Sequence, residues 1–205
     1  MTTKINIKNK ISYDDWRALQ PIQRTFAIGD VGEYMWALYC NKNGAFNIRK
    51  ADYRVDGYDI IRMDNMGMVI TSEVKTMKFP YKRNAWEKYF FETHDKTRTK
   101  MPQYMTHDVD EYIIFDMIEG KFHVYDCKKL ADALKIIIDD NYDSRWGWMN
   151  EEMNRQGSAY GIWRYYEGKF SPFLGFKYSV EAPIMPNSFA WVAKYAKMDS
   201  DEGLQ

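Results

Sequence analysis

Two residues of opposite charge stand two positions apart in the segment MVITSEVKTM, which begins with an apolar run. Glu73 and Lys75 would project from the same face of a β-strand, because alternate side chains of a strand point to the same side. Asp59 lies 14 residues before Glu73, in the segment DGYDII, and a turn-like Asn-Met-Gly separates the two apolar stretches. We therefore expect an antiparallel hairpin that brings Asp59 level with residues 72–75.

Two carboxylates and one ammonium at the edge of a hairpin suit one kind of chemistry. Carboxylate oxygens are typical Mg²⁺ ligands, and Mg²⁺ is commonly bound by one or two of them together with phosphate oxygens. A neighbouring lysine can hold an attacking water, help to deprotonate it and offset charge on a pentavalent phosphate. Asp59, Glu73 and Lys75 therefore predict metal-assisted hydrolysis of a phosphodiester. The alternative is a set of ion pairs on a solvated face, which contribute only ~0–1 kcal/mol each.

The tripeptide [DE]-x-K is a weak signal by itself, because the chain contains it at Glu73–Lys75, Glu119–Lys121, Asp126–Lys128 and Glu167–Lys169. Two of these have glycine in the middle, which is typical of turn tips. The one at Asp126 spans a strand end and a helix start. We select the tripeptide at Glu73, because it alone lies at the end of a long apolar strand.

A further carboxylate, Glu33, lies in the helical segment GDVGEYMWALYCNKNG. Asp30 is expected to cap this helix, with Glu33 completing a capping box and Gly44 ending the helix. The residues at i+3, i+4 and i+7 from Glu33 are apolar, so its side chain is also expected along a buried face. A buried carboxylate needs a partner, and a metal ion is one. Capping and metal binding both stay open as roles for Glu33.

The elements that position these residues follow an α/β order. Beyond the hairpin and the helix that carries Glu33, we expect a short helix at 13–20, strands at 45–50 and 86–92, a hairpin over 110–126 and a helix over 128–140. This order indicates a central mixed sheet flanked by helices. From about residue 143 the sequence is rich in aromatic residues and broken by Gly and Pro. A last helix is expected from Ser188, followed by a disordered tail after Met198.

The series Gly29-x-x-x-Glu33, Asp59 and Glu73-Val-Lys75 resembles the PD-(D/E)xK nuclease superfamily. Its spacing is similar to that of the archaeal Holliday-junction-resolvase branch, and residues 90–134 resemble phage-encoded nucleases of the same superfamily. The resemblance covers roughly residues 26–135. The proline of the family name is absent, because Tyr58 precedes Asp59.

This resemblance implies a restriction-endonuclease-like core at 26–142. A basic N-terminal segment at 1–25 would precede it, and an aromatic-rich C-terminal extension at 143–205 would pack on the core or at a dimer interface. The implied activity is Mg²⁺-dependent endonucleolytic cleavage of DNA by a homodimer in the cytoplasm of a bacterium or a phage-infected host. The alternatives are a branched-DNA resolvase and a nuclease-fold protein that binds DNA or a partner without cleavage.

The resemblance also implies roles for individual residues. Mg²⁺, with Mn²⁺ as a substitute, would be bound by Asp59, Glu73 and the carbonyl of Val74. Glu33 would be an outer or second-metal ligand, and Lys75 would be the catalytic lysine. Asp56 is a competing ligand; Asp59 is preferred because it directly precedes an apolar pair.

Charge is segregated along the chain, although the 29 basic and 29 acidic residues balance overall. Residues 74–104 carry a net charge of +5, and residues 105–143 carry −6. Basic side chains make most phosphate contacts in nucleic-acid complexes, so we expect DNA binding by Lys78, Lys82, Arg83, Lys96, Arg98 and Lys100. Aromatic residues that can stack on unpaired bases are interleaved with them: Trp86, Tyr89 and Tyr104. A solvated strand edge protected by lysine is the alternative.

Composition excludes several other classes of protein. Cys40 and Cys127 are too few and too far apart for a disulfide framework or a CxxC zinc site, so we expect free thiols. The N-terminal MTTKINIKNK lacks the apolar core of a signal peptide. No apolar stretch approaches the ~20 residues of a membrane helix. We therefore expect a soluble intracellular protein.

Overall fold

The fold is described from a computed structural model, which covers residues 5–51, 56–77, 88–95, 101–106, 108–136, 159–165 and 171–202. Its helices are α1 (Tyr13–Ala18), α2 (Pro21–Lys42), α3 (127–136) and α4 (Asn187–Glu202). Short 3₁₀ turns lie at Gln103–Met105 and Pro172–Leu174.

Six of the eight described strands form one mixed sheet. The strands are β1 (Phe46–Lys50), β2 (Ile60–Met63), β3 (Val69–Met77), β4 (Lys88–Asp95), β5 (Glu111–Asp116), β6 (Lys121–Asp126), β7 (Ala159–Tyr165) and β8 (Phe176–Glu181). The large sheet has the order β1-β2-β3-β5-β6-β8, in which β3 and β5 are parallel and the other neighbours are antiparallel. Strands β4 and β7 form a separate antiparallel pair. The expected α/β fold with a mixed sheet flanked by helices is confirmed.

The hairpin of β2 and β3 has the predicted register. Ile60 pairs with Ser72, and the turn is closed by Asp64, whose side chain accepts hydrogen bonds from two backbone N–H groups of the turn. Gly67 has φ of 82°, a left-handed conformation that glycine adopts without steric cost. Because Ile60 is level with Ser72, the preceding Asp59 is level with Glu73.

Strand β3 is covered on both faces, and its residues alternate between them. Val74 belongs to an apolar cluster formed with α2 and α4, whereas Met77 packs against a second cluster that includes α3. Helix α2 approaches β3 closely at Gly32, where a β-carbon would lie 1.9 Å from Oγ1 of Thr76. This close approach brings the α2 backbone directly against the strand that carries Glu73.

The expected start of α2 at Asp30 is wrong. The helix begins nine residues earlier, at Pro21, and its first turn is closed by the Gln20 N–H, which donates to Oε1 of Gln23 at 3.0 Å. Proline suits this first position, because its φ is already helical and its missing N–H has no helical acceptor there. The end of α2 is as expected, since the helix stops at Lys42 and Gly44 has φ of 86°.

The C-terminal part contributes to the main sheet and to its helical layer. Strand β8 pairs with β6, and α4 packs in the same cluster as α2. Helix α4 begins at Asn187, one residue before the expected start, but the expectation of disorder after Met198 is wrong over residues 199–202, which are helical. Asp199 accepts hydrogen bonds from Tyr13 (3.1 Å), Trp16 (2.9 Å) and Arg24 (2.8 Å), which ties α4 to α1 and α2.

Both cysteines, Cys40 and Cys127, are buried free thiols, as expected. Burial raises the pKa of the Cys40 thiol to about 12, so this thiol is protonated at neutral pH. Within the described ranges, no helix combines the length and the apolar character needed to cross a membrane.

Candidate functional site

Asp59 is held by three hydrogen bonds, two to β3 and one to the residue that follows β1. Its N–H donates to the Ser72 carbonyl at 3.0 Å, and its own carbonyl accepts from the N–H of Ala51 at 2.8 Å. Its carboxylate Oδ2 accepts from the N–H of Val74 at 2.8 Å. The carboxylate is therefore fixed beside the backbone that joins Glu73 to Val74. Asp59, and not Asp56, makes this contact.

Glu73 and Lys75 form an ion pair on β3, with Nζ of Lys75 2.5 Å from Oε1 of Glu73. The Glu73 side chain is only 11% exposed, whereas the Lys75 side chain is 39% exposed. Burial, together with the charges of Asp59 and Glu92, raises the pKa of Glu73 to about 7 against the opposing effect of Lys75. A pair on a solvated face, which was the alternative from sequence, does not describe this carboxylate.

The Lys75 ammonium is stabilised by its surroundings. Burial alone would lower its pKa, but the negative charges of Glu73, Asp59 and Glu92 outweigh burial and raise the pKa above its usual value. Lys75 is therefore protonated at neutral pH in this arrangement.

Glu33 reaches the same region from α2. Its side chain is 14% exposed, and its carboxylate pairs with the ammonium of Lys50, which also lies 2.5 Å from Oδ1 of Asp30. Burial, followed by the charge of Asp59, raises the pKa of Glu33 to about 7. The negative charge of Asp59 thus raises the pKa of both Glu33 and Glu73. Glu33 lies well inside the helix, so the capping role considered from sequence is wrong.

The structure therefore brings together Glu33 from α2, Asp59 from the bend just before β2, and Glu73 and Lys75 from β3. It adds three residues that the sequence interpretation missed: Asp30, Lys50 and Glu92. Lys50 ends β1, the neighbour of β2, and Glu92 lies on β4. The signal for Glu92 in the sequence was a single carboxylate after the aromatic run Tyr-Phe-Phe in a strand segment.

The carboxylate oxygens of this region are of the chemical type that binds hard divalent cations. Among the described residues, the ion pairs and electrostatic effects of this region involve two ammonium groups, Lys50 and Lys75, and five carboxylates: Asp30, Glu33, Asp59, Glu73 and Glu92. The raised pKa values of Glu33 and Glu73 come partly from repulsion between these carboxylates, which a cation would relieve. Oxygen ligands of this kind are those that Mg²⁺ and Mn²⁺ prefer.

A second group of possible metal ligands lies on the hairpin of β5 and β6. Asp116, Glu119 and His123 place one ligand atom each within 4.8 Å of one another. Nδ1 of His123 lies 2.7 Å from Oγ of Ser179, and Oδ1 of Asp116 accepts the N–H groups of two residues in the turn. This group could hold a metal ion. Asp116 lies on β5, the direct neighbour of β3, and His123 lies on β6, the strand beyond it.

The predicted DNA-binding residues fall outside the described part of the chain: Lys78, Lys82, Arg83, Lys96, Arg98 and Lys100. Their role stays a prediction, as does the use of the Val74 carbonyl as a ligand. Tyr104, in contrast, is described, and the idea that it stacks on bases is wrong. Its ring is buried, with its centroid 4.7 Å from that of Tyr112, and its hydroxyl donates to the carbonyl of Glu92.

Comparisons with known proteins place this chain in no family: no family model, no curated protein and no solved structure matches it. The resemblance to PD-(D/E)xK nucleases therefore depends on the residues quoted above.

Proposed function

We propose that this chain is a Mg²⁺-dependent nuclease of the PD-(D/E)xK type that hydrolyses phosphodiester bonds in DNA. One observation carries the proposal: Asp59, Glu73 and Lys75 meet where β2 and β3 stop pairing, with both carboxylates fixed by short polar contacts. Sequence order, strand placement and charge all agree with a restriction-endonuclease-like core. The geometry supports this function better than a structural ion pair, because Glu73 is buried close to a second carboxylate.

The residues that would hold the cation are Asp59, Glu73 and the Val74 carbonyl, with Glu33 on the α2 side. Such a cation supplies Lewis-acid polarisation of a phosphate oxygen and neutralises charge there. The hydrogen bond from the Val74 N–H to Oδ2 fixes the orientation of the Asp59 carboxylate, and with it the position of the second oxygen, Oδ1. Fixed ligands of this kind cost little reorganisation when substrate binds.

Lys75 would act on the substrate as an ammonium. Because the surrounding carboxylates raise its pKa, it is available to donate a hydrogen bond to a phosphate oxygen and to offset negative charge that develops there. Its partial exposure, 39% of the side chain, leaves it accessible to a ligand while Glu73 stays buried. Lys75 would therefore position and stabilise the reacting phosphate rather than accept a proton in this state.

The substrate is proposed as DNA because basic residues follow the tripeptide directly. Residues 74–104 carry a net charge of +5, and phosphate contacts of lysine and arginine dominate the affinity for nucleic acid. We also propose that the chain forms a homodimer, because two identical sites related by a two-fold axis match the two strands of duplex DNA. Light scattering coupled to size-exclusion chromatography measures this oligomeric state.

The test is incubation of the purified chain with linear, circular, single-stranded and four-way DNA, in Mg²⁺ or in EDTA. Cleavage is expected in Mg²⁺ only and is expected to disappear in Glu73→Gln, which keeps the shape of the side chain. The matched control is Glu181→Gln, which changes an exposed carboxylate on β8 and should leave cleavage unchanged. Strong preference for the four-way substrate would assign a branched-DNA resolvase. Metal-dependent binding without cleavage would overturn the proposal.

A further inference from the structure

A mixed group of carboxylates and an imidazole lies on the hairpin of β5 and β6, apart from the candidate metal centre at Asp59 and Glu73. Asp116, Glu119 and His123 place one ligand atom each within 4.8 Å of one another. Asp116 and His123 are buried, each with 1% of its surface exposed, whereas Glu119 is exposed in the turn. Three side chains that can each provide a metal ligand therefore converge at the end of one hairpin.

The pairing of β5 with β6 determines that two of these side chains share a face of the sheet. Ile114 is the register partner of His123, and Asp116 lies two residues beyond Ile114, so all three side chains point to the same side. Asp116 and His123 are diagonal neighbours across the strand pair, a separation within reach of long and aromatic side chains. The turn brings Glu119 to them, because Oδ1 of Asp116 accepts the N–H groups of Ile118 (2.9 Å) and Glu119 (3.0 Å).

The polar contacts of the two buried residues suit them to bind a metal ion. Nδ1 of His123 lies 2.7 Å from Oγ of Ser179, its register partner on β8, so a metal ion would bind the other ring nitrogen, Nε2. Histidine ligands are commonly oriented in this way, by a hydrogen bond to the ring nitrogen that does not bind the metal. The turn holds Oδ1 of Asp116 and thereby fixes the orientation of the whole carboxylate.

The mixture of ligand atoms indicates the class of metal ion. Imidazole nitrogen suits Zn²⁺ and other divalent transition metals, and carboxylate oxygens complete such sites, whereas Mg²⁺ and Ca²⁺ take oxygen ligands. Zn²⁺ binds both kinds of ligand at about 2.0–2.2 Å, so three ligand atoms around it lie roughly 3–4 Å apart. The three atoms of this group already lie within 4.8 Å of one another, and the exposed side chain of Glu119 can supply the remaining movement.

The strand order separates this group from the candidate metal centre. Glu73 is level with Tyr112 on β5, which is level with Tyr125 on β6. His123 therefore lies two strands across and two residues along from Glu73, roughly 12 Å between Cα atoms at the usual strand spacings. The two ions of a two-metal centre lie only about 3.5–4 Å apart. The group on the hairpin is thus a site of its own, and the inference drawn from it does not depend on the proposed function.

We propose that Asp116, Glu119 and His123 bind a divalent transition-metal ion of the Zn²⁺ class, through Nε2 of the imidazole and one oxygen of each carboxylate. Three protein ligands leave at least one position on the ion for water or a small ligand. The ion joins two buried side chains of the sheet to the turn between β5 and β6. Ser179 is a positioning residue, because it holds Nδ1 of the imidazole while Nε2 binds the ion.

The experiment measures Zn²⁺ binding to the full chain by isothermal titration, in excess Mg²⁺ to occupy the candidate metal centre. Glu119→Gln is expected to weaken Zn²⁺ binding at least about tenfold, since even residues that only support metal ligands change affinity by about 10–100-fold. Because Glu119 is exposed in a turn, this variant keeps the fold. Glu181→Gln is the matched control, because it removes an exposed carboxylate that pairs with Lys121 and should leave the affinity unchanged. Ser179→Ala is expected to weaken binding about tenfold.

A second measurement locates the bound ion. The chain has three histidines, His94, His107 and His123, and a long-range ¹H–¹⁵N spectrum of their imidazoles shows which ring nitrogen binds Zn²⁺. We expect Zn²⁺ to shift the Nε2 resonance of His123. This resonance is assigned as the one that persists both in His94→Gln and in His107→Gln.

Each outcome decides the inference. Weaker Zn²⁺ binding in Glu119→Gln than in Glu181→Gln, together with the shift of Nε2 of His123, supports it. Absence of Zn²⁺ binding, equal affinities in the wild type and Glu119→Gln, or a shift at His94 or His107 alone overturns it. Binding that excess Mg²⁺ abolishes would overturn the assignment to the Zn²⁺ class. None of these results changes the expected Mg²⁺-dependent cleavage of DNA, so the proposed function is tested separately.

Discussion

The backbone N–H of Val74 donates a hydrogen bond of 2.8 Å to the carboxylate of Asp59, across the point where β2 and β3 stop pairing. The side chain of Asp59 thus makes the hydrogen bond that a backbone carbonyl would make if the pairing of β2 and β3 continued. The same carboxylate belongs to the candidate metal centre. The stability of the hairpin and the binding of a cation therefore depend on different properties of the Asp59 carboxylate. The hairpin needs Oδ2 as a hydrogen-bond acceptor for the Val74 N–H, whereas a cation needs the negative charge of the carboxylate.

Asp59→Asn and Asp59→Ala should therefore separate these two roles. Asparagine keeps an oxygen acceptor for the Val74 N–H and relieves repulsion from Glu73 and Glu33. We expect unchanged or slightly raised thermal stability together with complete loss of cleavage. Alanine leaves the N–H without its acceptor and should lower the free energy of unfolding by about 1–3 kcal/mol. Chemical denaturation and a cleavage assay test both variants; a folded, fully active Asp59→Asn enzyme would contradict the site.

Lys75→Met should retain DNA and metal binding but cleave at least about 100-fold more slowly, because the charge that stabilises the reacting phosphate is removed. Since Lys75 lowers the pKa of Glu73, the variant should also raise that pKa further. Carboxyl ¹³C NMR titration measures this change independently of activity. Lys121→Met is the control, because Lys121 lies on β6 near an exposed carboxylate. A larger drop in rate at Lys121 would mean that the wrong tripeptide was selected.

Stability should fall as the pH rises from about 4.5 to 7. Glu33 and Glu73 have pKa values raised from 4.5 to about 7, so within this window the folded chain binds more protons than the unfolded chain. The free energy of unfolding then decreases with pH, by at most on the order of 3 kcal/mol for each group. The raised pKa of Lys75 changes the free energy of unfolding only above pH 10.5, so it does not affect the range from pH 4.5 to 7.

Urea denaturation of the wild-type chain and of the double variant Glu33→Gln, Glu73→Gln measures the effect of pH. The double variant should show a flatter dependence between pH 4.5 and 7. Affinity for Mn²⁺ should strengthen over the same window, because the ion displaces protons from these carboxyls. Equal pH dependence in both proteins would show that other groups dominate.

Gly32→Ala should destabilise the chain, because its β-carbon would meet Oγ1 of Thr76 at 1.9 Å. We expect a decrease of about 1–3 kcal/mol in the free energy of unfolding, typical of overpacking. Gly29→Ala, one turn earlier on α2, is the matched control, since no described residue, apart from the adjacent backbone of α2, has an atom within 4 Å of its β-carbon position. There we expect an increase of up to about 1 kcal/mol from helix propensity. Similar changes at both positions would contradict the close packing of α2 on β3.

Replacing Lys96, Arg98 and Lys100 by alanine should weaken DNA binding equally for all sequences. The slope of log affinity against log salt should fall by up to about 3, because each phosphate that is no longer neutralised reduces it by ~0.9. Slow cleavage should persist at saturating DNA, because the candidate metal centre is intact. The control is Lys194→Ala with Lys197→Ala, which removes two exposed charges from α4. An unchanged slope in the triple variant would show that these residues form a solvated surface.

The sequence predicted the candidate site well where local pairing determines geometry. The Asn-Met-Gly turn and the apolar runs around it set the register of β2 and β3, and that register alone places Asp59 beside Glu73. The sequence interpretation failed where contacts between distant segments of the chain determine which residues reach the site. Glu92 reaches the site through the packing of Phe91 and Tyr104 on β5, contacts that no spacing in the sequence reveals.

The boundaries that were predicted wrongly also have physical causes. Asp30 is a good capping residue, but the helix continues through it because Gln20, Pro21 and Gln23 form an earlier start and Asp30 pairs with Lys50. Strand β8 was missed because its exposed and half-buried residues do not alternate. The end of α4 was missed because Asp199 is polar, yet its carboxylate is the acceptor for three side chains of α1 and α2.

The position of Asp199 has a consequence for how the chain is made. Its partners Tyr13, Trp16 and Arg24 leave the ribosome more than 170 residues earlier than the carboxylate that they bind. Strand β6 likewise pairs with β8, so one edge of the sheet stays unpaired while the residues between Asp126 and Phe176 are synthesised. Synthesis at about 5–20 residues per second leaves that edge unpaired for seconds. The interval is long enough for a chaperone to bind, and an arrested nascent chain that ends before β8 would expose it permanently.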